Sequence, residues 1–221
     1  MITIAVLIMI LTALGTWRKY KTIMLDPPWD INQKGKLGAI NHYNLMTLDQ
    51  IRNLPIPELA ADDAHLWLWV PNGLVPEAIQ LIKDWGFTYR NSFYWIKPRL
   101  GLGVYLRNAS ETVLFATRGK APVLFKGQPN WLFAPLQDHS HKPEEMYEVI
   151  ERVSPGPYLE LFARRHRHGW DSWGNEIDSD IYIPDYPVPR YSESAVLPDG
   201  IPRVTEESQS ETQSETQEEV E

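Results

Sequence analysis

The sequence predicts an α/β domain, because segments of strand character alternate with segments of helical character. Residues 65–70 and 87–96 have the length and character of strands, and between them residues 76–85 carry apolar side chains at helical spacing. A helical segment at 140–153 followed by an apolar run at 158–162 continues the alternation. Strand, helix and strand in this order are typical of a sheet covered by helices.

The candidate catalytic stretch is Asp26-Pro27-Pro28-Trp29, which follows the apolar run 22–25. Proline fixes its own φ and keeps the preceding residue extended, so the pattern predicts a buried strand that stops at a stiff turn. If the amine of an adenine lay in this turn, the Asp26 carboxylate and the Pro27 carbonyl would accept its two N–H groups. The Trp29 ring would stack on the base. From these four residues alone, a simple strand end is an equally good interpretation.

The other elements follow from local signals. Thr47 with Gln50 three residues later predicts a capping box and a short helix. Residues 111–117 predict a strand, and residues 99–110 predict a flexible basic loop whose Gly-Leu-Gly lacks the spacing of a phosphate-binding loop. The arginines and histidines of residues 163–170, at the end of a strand, predict an anion site.

Composition narrows the class of protein. The net charge is −8, and the seven Glu of residues 205–221 account for all but −1 of it, so the body of the chain does not resemble a tight non-specific DNA binder. The absence of cysteine excludes disulfides, thiolate metal sites and a catalytic thiol, and is compatible with the cytoplasmic location that we expect. His166 and His168 have no acid or cysteine at ligand spacing, so we expect no metal.

Four regions are predicted: an apolar N-terminal segment at 1–20, a main domain at 21–180, a proline-rich extension at 181–204 and a disordered acidic tail at 205–221. Three interpretations of the first 15 residues stay open. They form a buried helix or strand, a short membrane anchor, or an extension from a misassigned start. The run is short for a membrane span, so we do not expect a membrane partner.

Several segments beyond the motif resemble the MT-A70-type N6-adenine methyltransferases, relatives of the catalytic subunit of the mRNA adenosine methyltransferase. In chain order they are DPPWDI, YNLMTLDQIRNLPIPEL, HLWLWV, WGF, YWIKP, SHKPEEMYEVIERVSPG and LELFARRHRHGWDSWGNEID, within residues 22–178. The resemblance implies a bacterial or phage member with a Rossmann-like, S-adenosylmethionine-dependent methyltransferase fold. That fold has a mostly parallel central sheet, helices on both faces and a permuted motif order, with DPPW first and the cofactor strand last.

The resemblance also implies a reaction, transfer of a methyl group from S-adenosylmethionine to the N6 amine of adenine in nucleic acid. The compact chain favours DNA, with RNA as the alternative and no obligate protein partner. A non-catalytic nucleic-acid-binding partner of the same fold is the alternative from another class. Such partners have lost the acid or the aromatic of the motif, and both are present here.

The implied site residues fall into three sets. The catalytic set is Asp26, Pro27, Pro28 and Trp29; the cofactor-binding set is Asp26, Lys142, Arg164, His166, Arg167, Asn175 and Glu176; the substrate-binding set is Tyr43, Lys97, Arg107 and Glu111. Lys142 would contact the methionine carboxylate of the cofactor. Arg167 stands where the family has an Asn that holds the cofactor ribose, and we expect this contact to pass to Glu176.

Overall fold

The structure is a computed structural model that describes residues 18–30, 45–101, 105–136, 142–186 and 188–198. Within these ranges the strands are β1 (Tyr20–Leu25), β2 (Ala60–Val70), β3 (Thr88–Ile96), β4 (Ser110–Arg118), β5 (Trp131–Phe133), β6 (Tyr158–Leu161) and β7 (Trp170–Trp173). The α-helices are α1 (Leu48–Arg52), α2 (Ile56–Leu59), α3 (Val75–Asp84) and α4 (Glu144–Val153), and a 3₁₀ turn covers Asn72–Leu74.

The seven strands form one sheet in the order β5-β3-β4-β2-β1-β6-β7. Strand β4 runs antiparallel to its neighbours β2 and β3, and the other neighbouring pairs are parallel. The predicted mostly parallel sheet is therefore confirmed. Because β1 lies beside β6, with Leu25 opposite Leu161, the strand of the DPPW motif and β6 end at the same edge.

Both faces of the sheet are covered. One face packs Ile23 and Leu25 of β1 against α1, α2 and α3. The other face packs Met24 against the buried side of α4, which includes Met146 and Ile150. The alternation along β1 explains the division, since successive side chains of a strand point to opposite faces. Asp26 continues this alternation onto the α4 face.

The predicted elements are present with shifted bounds. The capping box of α1 is confirmed, with the Gln50 backbone N–H donating to Thr47 Oγ1 (3.2 Å) and the Thr47 backbone N–H donating to Gln50 Oε1 (2.8 Å). The helix predicted to begin at residue 140 begins at Glu144 among the described residues, because Pro143 is its N-cap. Residues 140 and 141 lie outside the described residues. Strands β5 and β7 were not predicted.

The beginning of the proline-rich extension packs onto the domain. Ile181, Ile183 and Val188 are buried in the cluster that contains α1 to α3. The acidic tail and the first 17 residues, including the apolar segment, lie outside the described residues. Across the ranges that the structure describes, no helix has the length and apolar character needed to cross a membrane.

Candidate functional site

A cleft opens where β1 and β6 end, beside the start of α4. This is the edge at which ligands bind in parallel α/β sheets. The main chain is strained at this edge, because Phe162, directly after β6, has a φ of 65°. Bulky residues rarely adopt this left-handed conformation, and such outliers cluster at functional sites. The cleft is lined by Met24, Asp26, Trp69, Lys142, Tyr147, Glu160, Phe162, Arg164 and Arg165.

The DPPW turn is held by main-chain hydrogen bonds. The Trp29 N–H donates to the Pro27 carbonyl (2.9 Å), the Met46 N–H donates to the Pro28 carbonyl (2.8 Å), and the Asp30 N–H donates to the Met46 carbonyl (3.1 Å). Met46 therefore holds the C-terminal side of the turn through two main-chain hydrogen bonds. Because a carbonyl oxygen has two lone pairs, the Pro27 carbonyl keeps acceptor capacity beyond its bond to Trp29.

The structure gives Trp29 a different role from the predicted one. Its side chain is 5% exposed, belongs to the hydrophobic core, and donates Nε1–H to the Trp69 carbonyl oxygen at 3.0 Å. A ring in this position offers no open face to a base, so stacking of Trp29 on adenine does not fit this arrangement. The aromatic residue of the motif instead anchors the turn to the end of β2.

Asp26 is the end of a chain of alternating charges. Lys142 Nζ lies 2.9 Å from Asp26 Oδ2 and 2.9 Å from Glu111 Oε2, and Lys97 Nζ pairs with Glu111 Oε1. The Lys142 ammonium also lies 4.4 Å from the centre of the Trp69 ring. The predicted cofactor lysine and the predicted substrate residues Lys97 and Glu111 are thus brought together with the predicted catalytic acid, Asp26.

The chain of charges shifts the pKa values of its two central members, Lys142 and Glu111. Burial lowers the pKa of Lys142, but attraction and hydrogen bonds from Asp26 and Glu111 outweigh burial and raise that pKa well above its ordinary value. For Glu111, burial raises the pKa, and the two lysines outweigh it so that the net direction is down. Two cations and two anions therefore share the edge of the cleft with no net charge.

A buried carboxylate forms the floor of the cleft. Glu160 lies on β6 beside Met24 of β1, is 9% exposed, and accepts the Tyr147 hydroxyl at 2.9 Å on each of its oxygens. Burial is the largest cause that raises the pKa of Glu160 to about 7; the Tyr147 hydrogen bond opposes this shift and the nearby Asp26 charge adds to it. Glu160 is therefore poised between neutral and charged forms near neutral pH.

The arginine-rich loop after β6 divides its side chains between the cleft and helix α4. Arg164 and Arg165 line the cleft, although Arg165 also pairs with Glu144. Arg167 pairs with Glu144 at 2.8 Å and Glu151 at 2.9 Å. Arg167 is not among the cleft-lining residues, so the structure gives it the contacts of a strut between the loop and α4, and its cofactor role stays a prediction.

The remaining predicted cofactor residues, His166, Asn175 and Glu176, are not among the residues that line the cleft. His166 Nδ1 is 3.7 Å from Asp180 Oδ2, and Arg164 is 3.7 Å from Glu176 Oε1. Asn175 and Glu176 are exposed. Just before them, Gly174 approaches the Ala163 carbonyl so closely that an added Cβ would lie 1.9 Å from that oxygen. Only glycine fits where the loops after β6 and β7 touch.

Of the other two predicted substrate residues, Arg107 is not among the residues that line the cleft. Tyr43 lies outside the described residues. Arg107 is exposed and donates from Nε to the Gly101 carbonyl oxygen at 2.6 Å within its own loop. Their substrate roles stay predictions.

Sequence reasoning missed several residues of the cleft, among them Trp69, Tyr147 and Glu160. Trp69 lies in the hydrophobic core, and the Lys142 ammonium also faces its ring. Glu160 had a signal, because an acid in the apolar run Tyr-Leu-Glu-Leu-Phe is out of place in a buried parallel strand. Tyr147 had none, since an amphipathic helix accommodates a tyrosine anywhere on its buried side. In the part of the chain that the structure describes, no cluster of His, Asp or Glu could hold a metal ion.

Comparison with known proteins places the chain in a family. It is 32% identical over 195 residues to the human N(6)-adenosine-methyltransferase catalytic subunit METTL3, covering 83% of this chain but 32% of METTL3. It is also 32% identical over 192 residues to the Type II methyltransferase M.MunI of Mycoplasma sp, covering 76% of this chain and 82% of that protein. This chain thus spans about a third of METTL3. A family model described as MT-A70 matches residues 20–176, which is more than half of the sequence, and the chain therefore belongs to the MT-A70 family.

Proposed function

We propose that this chain transfers a methyl group from S-adenosylmethionine to the N6 amine of adenine in nucleic acid. The observation that carries the proposal is the ion pair between Asp26 of the DPPW turn and Lys142, which holds the carboxylate at the mouth of the cleft. Asp26 and Trp29 are both present, which favours an enzyme over a non-catalytic partner of the same fold.

The groups around the cleft fit the cofactor. S-adenosylmethionine carries a carboxylate, an ammonium, a sulfonium and a ribose diol. Lys142, Arg164 and Arg165 supply cations for the carboxylate, and Asp26 and Glu160 supply carboxylates for the positive groups. Glu176, exposed beside Arg164, is a suitable acceptor for the ribose hydroxyls. When bound, the cofactor supplies a methyl group on a sulfur that leaves with the bonding electron pair.

The residues of the turn would act on the amine. The exocyclic nitrogen of adenine is a weak nucleophile, because its lone pair is delocalised into the ring. Asp26 and the Pro27 carbonyl accept its two N–H groups and orient the lone pair toward the methyl carbon. The nitrogen becomes positively charged as the new bond forms, and the Asp26 carboxylate stabilises that charge and stands ready to accept the proton that leaves. Lys142 holds Asp26 in position throughout.

The base must leave a duplex, or arrive unpaired, to reach this turn. The chain covers most of the compact Type II methyltransferase but only a third of METTL3, so we propose DNA as the favoured substrate and RNA as the alternative. The target sequence is left to experiment.

The test uses labelled S-adenosylmethionine with duplex DNA, single-stranded DNA and RNA that contain adenine. Asp26→Asn keeps the size of the side chain but removes its charge, and we expect methyl incorporation to fall by about 100-fold or more. Asp30→Asn is the matched control, since Asp30 is exposed at the other end of the turn. Absence of incorporation into every substrate would refute the activity, and an equal loss in both variants would refute the assignment of Asp26.

A further inference from the structure

The cleft contains two carboxylates, Asp26 and Glu160, that differ in how they are paired. Glu160 lies beside Met24 of β1, and Asp26 follows Met24 by two residues, so both acids stand on the same face of the sheet. At a rise of about 3.3 Å per residue, Glu160 lies about 7 Å behind Asp26 along the strand direction, on the floor of the cleft. Asp26 pairs with the Lys142 ammonium at 2.9 Å, and this pair leaves Glu160 without a share in that cation.

Within the described residues, the partner of Glu160 is neutral. Its two oxygens share one donor, the Tyr147 hydroxyl, at 2.9 Å from each. An ionised carboxylate has sites for about four hydrogen bonds. None of the ion pairs formed among the described residues includes Glu160, and Arg165, whose charge reaches it, pairs with Glu144. A buried carboxylate without a cation from the protein itself is a site for positive charge that a ligand brings.

S-adenosylmethionine brings two positive groups, an ammonium and a sulfonium. In an in-line transfer, the sulfonium sulfur lies on the far side of the methyl carbon from the amine that is methylated. With the amine at Asp26, at the mouth of the cleft, this far side is toward the floor and Glu160. The surroundings of Glu160 suit a sulfonium, which has no N–H to donate, because Met24 and Phe162 beside it in the cleft are apolar.

We propose that Glu160 distinguishes the methyl donor from the product S-adenosylhomocysteine, because its carboxylate faces the sulfonium that the reaction removes. The inference rests on the proposed function and deepens it by assigning the residue that favours exchange of product for donor. Methyl transfer turns the sulfonium into a neutral thioether, which leaves the Glu160 carboxylate buried without a cation. Glu160 then takes up a proton from solvent. Binding of the next charged donor returns that proton to solvent.

The groups around Glu160 set its protonation state. Burial, the largest cause, raises the pKa of Glu160 to about 7 against the hydrogen bond from Tyr147; the charges of Asp26 and Glu144 also raise it, and the charge of Arg165 lowers it. The neighbouring residue on β7 is an uncharged serine. Glu160 is therefore mostly protonated at pH 6 and mostly ionised at pH 8. Since the donor binds the ionised form, its affinity should increase over this range, whereas that of the product should not.

Calorimetry with each ligand alone, without nucleic acid, tests the assignment. From pH 6 to pH 8 the Kd for S-adenosylmethionine should fall by about tenfold, with about one proton released on binding at pH 6. The Kd for S-adenosylhomocysteine should stay level or rise. Glu160→Gln keeps an acceptor for Tyr147 but does not titrate, so the pH-dependent difference between the ligands should disappear. Glu148→Gln is the matched control, since Glu148 is an exposed acid on the helix that carries Tyr147.

Tyr147→Phe is a second variant, which keeps the Glu160 carboxylate. It removes a hydrogen bond that favours the ionised form, so the fall in the Kd for S-adenosylmethionine should move to higher pH. The amino groups of the ligands titrate in the same way with every variant. A midpoint that does not move would contradict the role of Glu160, also where Glu160→Gln fails to fold.

Each contrary result has one meaning. Equal pH dependence for the two ligands would place the ammonium, which both carry, at Glu160 and would overturn the assignment to the sulfonium. A Glu160→Gln variant that keeps the pH-dependent difference between donor and product would overturn the role of Glu160. If that protein still methylates adenine, the proposed function stands without this inference. A protein that shows the expected pH dependence but methylates no substrate would refute the proposed function and leave this inference standing.

Discussion

The turn after β1 and the loop after β6 end neighbouring parallel strands at one edge of the sheet, yet they hold their charged groups in opposite ways. The turn places one acid, Asp26, at the mouth of the cleft and pairs it with Lys142, which is distant in sequence. The loop has several cations, and Arg165 and Arg167 pair with acids of the adjacent helix α4. In the turn, the single acid Asp26 lines the cleft and has a partner from another element. In the loop, Arg167 instead pairs with acids of α4.

The difference shows that the number of charges at a strand end does not indicate how many of them meet a ligand. Where an arginine-rich loop lies beside a helix with acids on its surface, the arginines form ion pairs with that helix. In the DPPW turn, the prolines remove donors and the remaining N–H groups bond to nearby carbonyls, so main-chain bonds hold the turn while Asp26 pairs with Lys142 and lines the cleft. Variants that disturb each region separately should therefore fail in different ways, by loss of chemistry in the turn and by loss of stability in the loop.

The largest effect is expected from Lys142→Met, which removes the cation between Asp26 and Glu111. Methyl transfer should fall by about 100-fold or more, since Asp26 loses the group that orients it. The free energy of unfolding should fall by about 2–4 kcal/mol, within or just below the range for breaking a buried pair, because both carboxylates are about one-third exposed. Urea unfolding and methyl incorporation measure the two effects.

The double variant Lys142→Met/Glu111→Gln is the control for this change. It removes one of the two carboxylates left facing each other, so it should recover part of the lost stability without recovering activity. Recovery of activity would show that repulsion from Glu111, rather than loss of orientation by Lys142, had caused the defect.

On the loop side, Gly174→Ala should reduce the free energy of unfolding by about 4 kcal/mol. The new Cβ would lie 1.9 Å from the Ala163 carbonyl oxygen and 2.9 Å from the Ala163 nitrogen. These are backbone atoms that cannot rotate away, so the cost should exceed the usual range for overpacking. Gly73→Ala is the control, because nothing lies within 4 Å of its added Cβ. Equal unfolding midpoints for the two variants would contradict the close contact.

The sequence predicted the turn better than the loop for a physical reason. The Asp-Pro-Pro-Trp turn is determined by local geometry, and the resemblance supplied Lys142 and Glu111 as further members of the site. The partner of Arg167 is determined by where α4 lies, and no local pattern contains that information. The burial of Trp29 also depends on tertiary packing, since its Nε1 bonds to a carbonyl of β2 that is distant in sequence. Local chemistry was therefore predictable, and the choice between core and cleft was not.

The buried carboxylate of Glu160 predicts how the free energy of unfolding depends on pH. Its pKa is raised to about 7, mainly by burial, against about 4.3 for an unfolded chain. Between these values the folded protein binds a proton that the unfolded protein has lost, so the free energy of unfolding should fall as pH rises from about 4.3 to about 7. The total fall is of the order of 3 kcal/mol.

Glu160→Gln accepts the Tyr147 hydrogen bond but does not titrate, so its stability should lack this fall. Urea unfolding of both proteins at pH 5 and pH 8 isolates the effect, because nearby groups such as Asp26 and Glu144 are common to both. Parallel curves for the two proteins would show that Glu160 does not titrate in this range.

The smallest effect is expected at Arg167. It distinguishes a structural contact with α4 from a contact with the cofactor. Arg167→Asn restores the residue that the family has here and removes the pairs with Glu144 and Glu151, together with the contact of the guanidinium over Tyr147 at 4.7 Å. We expect a loss of about 1–2 kcal/mol in the free energy of unfolding, since the arginine side chain is partly exposed and its ion pairs are correspondingly weak. Calorimetry should find the Kd for S-adenosylmethionine changed by less than about threefold, whereas Glu176→Gln should raise it about tenfold.

The control for the strut is Arg190→Asn, which removes a single surface pair with Asp178 and should cost less than about 1 kcal/mol. A Kd that tightens strongly in Arg167→Asn would mean that the asparagine regains a ribose contact that Glu176 does not provide. The loop would then be a cofactor site weakened by its attachment to α4. An unchanged Kd together with lost stability would mean that the attachment to α4 is the function of Arg167, and that Arg164 of this loop and Glu176 of the loop after β7 hold the cofactor.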